Sequence, residues 1–402
     1  MSVAFALAEE RCNDSMHSIP YLARPAVATR SFFDHPLPPP HAMRLARSLV
    51  LLAAVASLAG AQRTTDPRPS VTVGSATAKR GERAYGTIAV APGVDSGTTI
   101  QVAVIHGVRP GPTVALVAGS HGTEYASIVA MTKIITMIDP KALGGTVIVL
   151  PLPNVAAFEQ MKVHVNPVDG RNMNRLYPGD PAGTQTQRVQ AQIAEQIVKQ
   201  SDVIVDLHGG DMDEDLRPYS YWARTGDAKG DEASKALALA FGLDHVIVLD
   251  LDVSVPSGRG NLAGYSLSLG KTAFIAEAGR AEVSSPEDVG ALIDGCLNVL
   301  ATLKMLDRAV KPVEHPVWLS NNARVGADAP GMFTALVARG SYVTQGMKVG
   351  TMTDYVGRPV SDVRAPISGV VTFIRSVPSA PKGATLVDVG AVSAEPPPYK
   401  KP

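Results

Sequence analysis

From about residue 98 the chain alternates two kinds of apolar pattern. TIQVAVIHG, TVALVAGS, TVIVLPLPN, DVIVDLHGG, HVIVLDL and TAFIAEAG are short runs rich in Val, Ile and Leu, the pattern of strands buried on both faces. Between them ASIVAMTKIITMI, RVQAQIAEQIVKQ and EASKALALAFGL carry apolar residues at helical spacing, and PEDVGALIDGCLNVLATLKML closes the series with Pro286 as a first-turn residue. Strands alternating with helices predict an α/β domain: a mixed, mainly parallel sheet covered by helices on both faces. RPGPT (109–113) reads as a hairpin-type turn between the first two of these runs. After about residue 311 the pattern changes. KPVEHPVW reads as a linker, and GMFTALVARG, SYVTQGMKVGTMTD, SDVRAPISGVVTFIRSV and GATLVDVG then form short β-like runs with turns and no helix.

The predicted organisation is therefore an α/β domain over 62–311, a smaller all-β domain over 312–392 and a disordered tail, SAEPPPYKKP, over 393–402. Residues 43–61, MRLARSLVLLAAVASLAGA, have the charged start, apolar middle and small-residue end of a signal peptide. They predict export, periplasmic or secreted, after cleavage near Ala61. The 42 residues before Met43 are Pro-rich and unpatterned, and translation is expected to start at Met43. The apolar run is short for a membrane span, so no stable membrane insertion is expected. Net charge is zero and 45% of residues are apolar, which fits a soluble globular chain and offers no basic stripe for nucleic acid. With Cys12 in the extension, Cys296 is the lone cysteine of the mature chain, and its helical context marks it as a small core residue.

The chemistry gathers where strands end. TVALVAGS runs into His121, with Glu124 in the first turn of the following helix; DVIVDL ends at His208; TAFIA ends at Glu277. Open α/β sheets bind ligands beyond the carboxyl ends of their strands, and parallel neighbours would bring these ends to one edge. Two His and one carboxylate are a common catalytic zinc set, so His121, Glu124 and His208 are candidate ligands for one Zn2+ per chain. Such an ion brings the pKa of its water down to about 7, and Glu277 is the candidate to take the proton and pass it on. In NPVDGRNMNRLYPGD (166–180), Arg171 and Arg175 are candidates to hold a substrate carboxylate, with Asn174 adding a neutral hydrogen bond. Taken singly, each residue has an ordinary explanation: a polar loop, an interior His, a structural ion pair. It is their order and their positions at strand ends that point to a site.

H-G-x-E after a strand, an N-R pair in a Pro/Gly-rich loop, D-L-H closing one strand and E-x-G closing another resemble the succinylglutamate desuccinylase/aspartoacylase family, part of the wider zinc carboxypeptidase-like group. The likeness runs from about 98 to 305, and the later β-rich part is similar to that family's C-terminal domain. It implies zinc on His121, Glu124 and His208, the substrate carboxylate on Asn174 and Arg175, and Glu277 as general base and acid. It also implies an arginine upstream of the N-R pair that polarises the scissile carbonyl, a role for which Arg171 is a candidate alongside carboxylate binding. Familiar members act in the cytoplasm, whereas an export signal leaves the substrate of this chain open.

The expected activity is hydrolysis of an amide next to a free carboxylate, in a small N-acyl amino acid. The alternatives are a metallocarboxypeptidase acting on peptides such as cell-wall peptides, and a non-catalytic protein that binds metal or a ligand. A capping β domain would favour the deacylase, and the same domain could instead build a homo-oligomer interface. GYSLSLGKT (264–272) is set aside as a phosphate loop because it precedes a strand, and no G-x-S-x-G motif supports a serine nucleophile. Arg259 in PSGRGN and Lys348 in QGMKVG carry no assigned role.

Overall fold

The computed structural model of the chain describes residues 68–281 and 283–402. The signal segment 43–61 and the extension before it lie outside the described residues. A two-stranded pair, β1 (Ser70–Val73) and β2 (Ala76–Lys79), precedes β3 (Glu82–Val90), β4 (Thr98–His106) and β5 (Arg109–Val117). Then follow α1 (Tyr125–Met137), β6 (Gly144–Leu150), α2 (Val155–Glu159), α3 (Gln185–Ile193) with a π turn over Ala194–Val198, β7 (Val203–His208), β8 (Glu214–Arg224), α4 (Ala228–Phe241) and β9 (His245–Asp250). The short α5 (Pro256–Arg259) and α6 (Leu262–Ser268) lead to β10 (Thr272–Arg280) and α7 (Pro286–Thr302). The remainder is β11 (Val317–Gly326), β12 (Gly331–Ala335), β13 (Tyr342–Val343), β14 (Lys348–Thr353), β15 (Pro359–Arg364), β16 (Gly369–Arg375), β17 (Ser379–Ala380) and β18 (Thr385–Ser393).

Twelve strands form one sheet in the order β13-β16-β18-β11-β9-β8-β10-β7-β5-β6-β4-β3. It is mixed, but it is not mainly parallel, which corrects the expectation. The pairs β5–β6, β5–β7, β7–β10, β8–β9 and β9–β11 are parallel. The pairs β3–β4, β4–β6, β8–β10, β11–β18, β13–β16, β16–β18 and β8–β16 are antiparallel. Parallel neighbours need a crossover, and only the central strands are joined through helices. A second correction concerns RPGPT. These residues open β5, and β6 lies between β5 and β4, so the two strands are not a hairpin. Pro110 and Pro112 have no N–H to donate, and the β5–β6 register shifts between Arg109 and Thr113. The apolar pattern also leaves EDLRPYSYWAR unmarked, although it forms β8, an interior strand of eleven residues.

Successive residues of β5 serve two cores. Val114 and Leu116 pack with Met131 of α1, Leu237 of α4 and Val299 of α7. Ala115 and Val117 pack with Val189 of α3, Leu262 of α6 and Val71 of β1. Such strands must be apolar throughout, which is why they read as continuous Val/Ile/Leu runs. Cys296 is fully buried in the first of these cores. Ser285 starts α7 by accepting the Asp288 N–H at 3.1 Å, ahead of Pro286 and two acidic residues that suit a helix N-terminus. GYSLSLGKT is indeed a helix-to-strand connection, from α6 into β10. The β8–β16 pairing closes β8, β9, β11, β18 and β16 into a ring. Among the described residues no helix is long and apolar enough to cross a membrane.

Candidate active site

β5, β7 and β10 are parallel neighbours, so their carboxyl ends share one edge. In the β7–β10 register Glu277 stands directly opposite His208. His121 lies in the loop after β5, and two glycines let that loop turn tightly. Gly119 has φ +64°, and a Cβ there would come within 2.6 Å of the Pro151 carbonyl oxygen. At Gly122 a Cβ would come within 2.3 Å of the Phe158 nitrogen. Asn154, at the start of α2, ties the loop down by donating from its amide to the Ser120 carbonyl at 3.0 Å. Glu124 occupies the N-cap of α1, yet its carboxylate makes no capping bond. That leaves the carboxylate free to face the site.

There it lies between the two histidines. His121 Nδ1 is 2.6 Å from Glu124 Oε1, and His208 Nδ1 is 2.8 Å from Glu124 Oε2. Ligand atoms of all three residues lie within 4.8 Å of one another. Burial opposes the charge on Glu124, but the pull of His121 and then His208 prevails and holds its carboxyl at about 2. Burial likewise opposes the charge on His208, while Glu124 and Asp206 lift it well above the usual imidazole range. Burial is also the main reason that the Glu277 carboxyl lies well above the usual range; Glu124, Glu214 and Asp206 add to this, and His208 acts against it.

The donor set fits a divalent cation, and an orphaned atom supports that fit. Both histidines turn Nδ1 toward Glu124. Behind His208, Asp206 Oδ1 lies 3.1 Å from Nε2 but is a buried acceptor with no hydrogen bond. An ion on Nδ1 would leave the proton on Nε2, where Asp206 could accept it, a usual arrangement behind metal-bound histidine. His121 has a comparable neighbour: its Nε2 is 3.2 Å from Asn172 Oδ1. Neither Asp206 nor Asn172 stands out in the sequence as a site residue. The available signal was spacing, because Asp206 and His208 at i and i+2 share one face of a strand.

The N-R loop divides its residues. Arg175 is exposed and lines a cavity of about 1120 Å³ together with His121, Glu124, His208 and Glu277. Asn174 also borders it, but its amide is engaged: Nδ2 donates to Asp206 Oδ2 at 3.2 Å, and Oδ1 accepts the Leu262 N–H at 2.9 Å. It thus steadies Asp206 behind His208. Arg171 does not line the cavity. Gly170, at φ +68°, and the bond from Asn166 N–H to the Arg171 carbonyl close a turn that leaves Arg171 exposed. Arg259 borders a separate hollow with Tyr265 and Pro178. The far wall of the main cavity comes from the five-strand ring, with Tyr219 and Tyr221 of β8, Arg324 of β11 and Asp388 of β18.

A second titratable cluster borders the same cavity. His164 Nδ1 lies 3.2 Å from Asp211 and Nε2 lies 3.1 Å from Asp213, with Glu214 beside them. Asp211 and then Asp213 lift His164 to about 10, against the effect of burial. Burial lifts the Glu214 carboxyl to about 7. The sequence does not mark this cluster, because His164 and the acidic residues come from different loops.

Known proteins share this architecture. Residues 110–303 match the family described as the succinylglutamate desuccinylase/aspartoacylase catalytic domain. An N-alpha-acetyl-L-2,4-diaminobutyric acid deacetylase of Halomonas elongata is 29% identical over 290 residues, covering 70% of this chain and 83% of that protein. The crystal structure of a succinylglutamate desuccinylase/aspartoacylase from Rhodobacter sphaeroides superimposes with a TM-score of 0.69 at 24% identity, covering 78% of this chain and 96% of that one. The product-bound ectoine utilization protein EutE of Ruegeria pomeroyi gives a TM-score of 0.70 at 22% identity, covering 82% and 98%. The structural likenesses speak to the fold, and the sequence match covers the segment that carries the site. Residues 110–303 of the chain thus match the catalytic domain of the succinylglutamate desuccinylase/aspartoacylase family.

Proposed function

We propose that this chain is a zinc-dependent hydrolase that deacylates a small N-acyl amino acid carrying a free carboxylate, and that it works outside the cytoplasm after residues 43–61 are removed as a signal peptide. The observation that carries the catalytic reading is the β7–β10 register, which sets Glu277 opposite His208 at the edge where His121 and Glu124 also lie. The name of the Halomonas relative, a deacetylase of an N-acetyl amino acid, supports the substrate class.

In this reading His121, Glu124 and His208 hold one zinc ion, which supplies Lewis-acid polarisation of the acyl carbonyl and of a reacting water. Glu277 takes the proton of that water as its oxygen bonds to the acyl carbon. The C–N bond then breaks with its electron pair on nitrogen, and Glu277 returns the proton to the departing amine. For the first step Glu277 must be ionised. Burial and neighbouring carboxylates oppose that, and a divalent cation among three nearby ligands favours it. Arg175, exposed at the cavity, binds the substrate carboxylate. Asn174 holds Asp206, which backs His208.

The test is turnover of a panel of N-acyl amino acids and short peptides by the zinc-loaded chain, alongside Glu277→Gln. The substitution should lower kcat/KM by about 10²–10⁴ and leave one zinc per chain by elemental analysis. Undiminished turnover would remove Glu277 from the reaction. Release of C-terminal residues from peptides, without turnover of any N-acyl amino acid, would establish a carboxypeptidase instead.

A further inference from the structure

We infer that Asp388 of β18 is the specificity-determining group of this cavity, a carboxylate that takes the cationic side-chain end of the substrate and so selects N-acyl derivatives of amino acids with a side-chain amine. This rests on the deacylase reading above and names the substrate class within it. Metal ligands, Glu277 and Arg175 account for the scissile amide and the carboxylate beside it. They leave the far wall of the cavity, built by the five-strand ring, without a task.

In that wall Asp388 interrupts an apolar run, between Leu386 and Val387 on one side and Val389 on the other, all three buried. Asp388 is itself only 7% exposed, and it borders the cavity. Acidic residues are seldom buried unless they are paired. Here the pairing is half complete. Oδ2 accepts from the Arg324 guanidinium at 3.1 Å, while Oδ1 makes no hydrogen bond. A buried anionic acceptor without a donor costs free energy, which a donor brought by the substrate would offset. The carboxylate is also firmly placed. Asp388 stands opposite Arg324 in the β11–β18 register and opposite Phe373 in the β16–β18 register, so strands on both sides fix its position.

The donor that suits this place is a cation. Tyr219 stands opposite Glu277 in the β8–β10 register, and its hydroxyl lies 3.4 Å from that of Tyr221. The two rings meet edge to face with centroids 5.2 Å apart, and both border the cavity. Burial, together with Glu277, Asp388 and Glu214, raises the Tyr221 phenol above its usual range. Tyr221 therefore lies between the reacting end of the cavity and Asp388. A side chain crossing it passes two aromatic rings, which attract a positive charge, and ends at the open carboxylate oxygen. Arg324 offsets Asp388 only in part, because its own side chain is 66% exposed. An anionic side chain would have to draw Arg324 away and leave a buried carboxylate unpaired. An alkyl chain would cover Oδ1 without supplying a donor.

The experiment uses the full zinc-loaded chain and two series of N-acetyl amino acids matched in length. One carries a terminal side-chain amine, from diaminopropionate to lysine, and the other a plain alkyl chain; N-acetylaspartate and N-acetylglutamate complete the panel. The best amine should exceed its alkyl counterpart in kcat/KM by about 10–100-fold. Asp388→Asn should shrink that ratio to a few-fold, through KM more than through kcat. Arg324→Gln removes the competing cation and should raise the ratio, which keeps the inference testable if Asp388→Asn does not fold. A wild type that prefers alkyl or acidic members would overturn this inference alone. So would a ratio that a folded Asp388→Asn leaves intact or, should that variant not fold, one that Arg324→Gln fails to raise. A wild type inactive on every N-acyl amino acid would overturn the deacylase reading and this inference with it.

Discussion

In the proposed zinc site Asp206 backs His208 from behind. It is fully buried on β7, and its Oδ1 lies 3.1 Å from His208 Nε2. The usual cost of losing such an outer carboxylate is 10- to 100-fold in metal affinity, so Asp206→Asn should weaken zinc binding by about that factor in a chelator competition. Unchanged affinity would mean that Asp206 does not orient the ring. The pH dependence has a definite sign. His208 is raised above its ordinary value in the folded chain, so without metal it adds stability that is present below the unfolded value and lost as pH rises through the folded one. A zinc ion bound in the proposed site would displace that proton, so zinc affinity should rise with pH. At this scale the sequence is legible where a polar residue ends an apolar run, as at His121, His208 and Glu277. It is silent at Asp206, which looks like an interruption of such a run, and at His164, whose placement depends on a left-handed backbone and on acids from a distant loop.

Between elements, the site depends on how closely the His121 loop approaches α2. A Cβ at Gly122 would sit 2.3 Å from the Phe158 nitrogen and 2.8 Å from the Ala157 carbonyl carbon, both backbone. Backbone cannot give way as a flexible side chain can, so Gly122→Ala should cost about 1–3 kcal/mol, lower the melting temperature and weaken zinc binding by displacing His121. Gly290 in α7 is the contrasting case, because nothing lies within 4 Å of its would-be Cβ. Gly290→Ala should stabilise by about 0.5–1 kcal/mol through helix propensity and leave zinc affinity alone. Equal effects of the two on melting would show that the loop has room to yield. The same contrast explains which elements can be read from sequence. Residues 114–117 of β5 and 203–205 of β7 are apolar because both faces are covered. β8 mixes Glu, Asp, Arg and Pro with buried Tyr219 and Trp222, because one end lies against acidic loops and the cavity. No single period describes it, and the parallel reading of the sheet fails where it enters.

For the whole molecule, the β-rich C-terminal part is bound into the main sheet. β11 pairs with β9, and β16 pairs with β8, so the cavity wall and the central sheet share strands. Trp318, Leu319 and Val370 are buried at that junction against Trp222, Ile247 and Tyr219. Each large apolar side chain withdrawn from water contributes about 1.5–3 kcal/mol, and a native protein typically has only about 5–15 kcal/mol in total. Arg339 crosses the same boundary: its guanidinium donates to the Leu216 carbonyl at 2.6 Å and pairs with Asp288, which is 1% exposed. A chain ending at residue 311 would expose the β8 and β9 edges and leave Asp288 with less compensation for its buried charge. Such a truncation should fail to accumulate as a folded monomer and should show no cooperative melt, with or without zinc. If it instead melted cooperatively and bound zinc like the full chain, the C-terminal strands would be a cap on an independent domain, and the cavity wall they form could be exchanged without rebuilding the sheet.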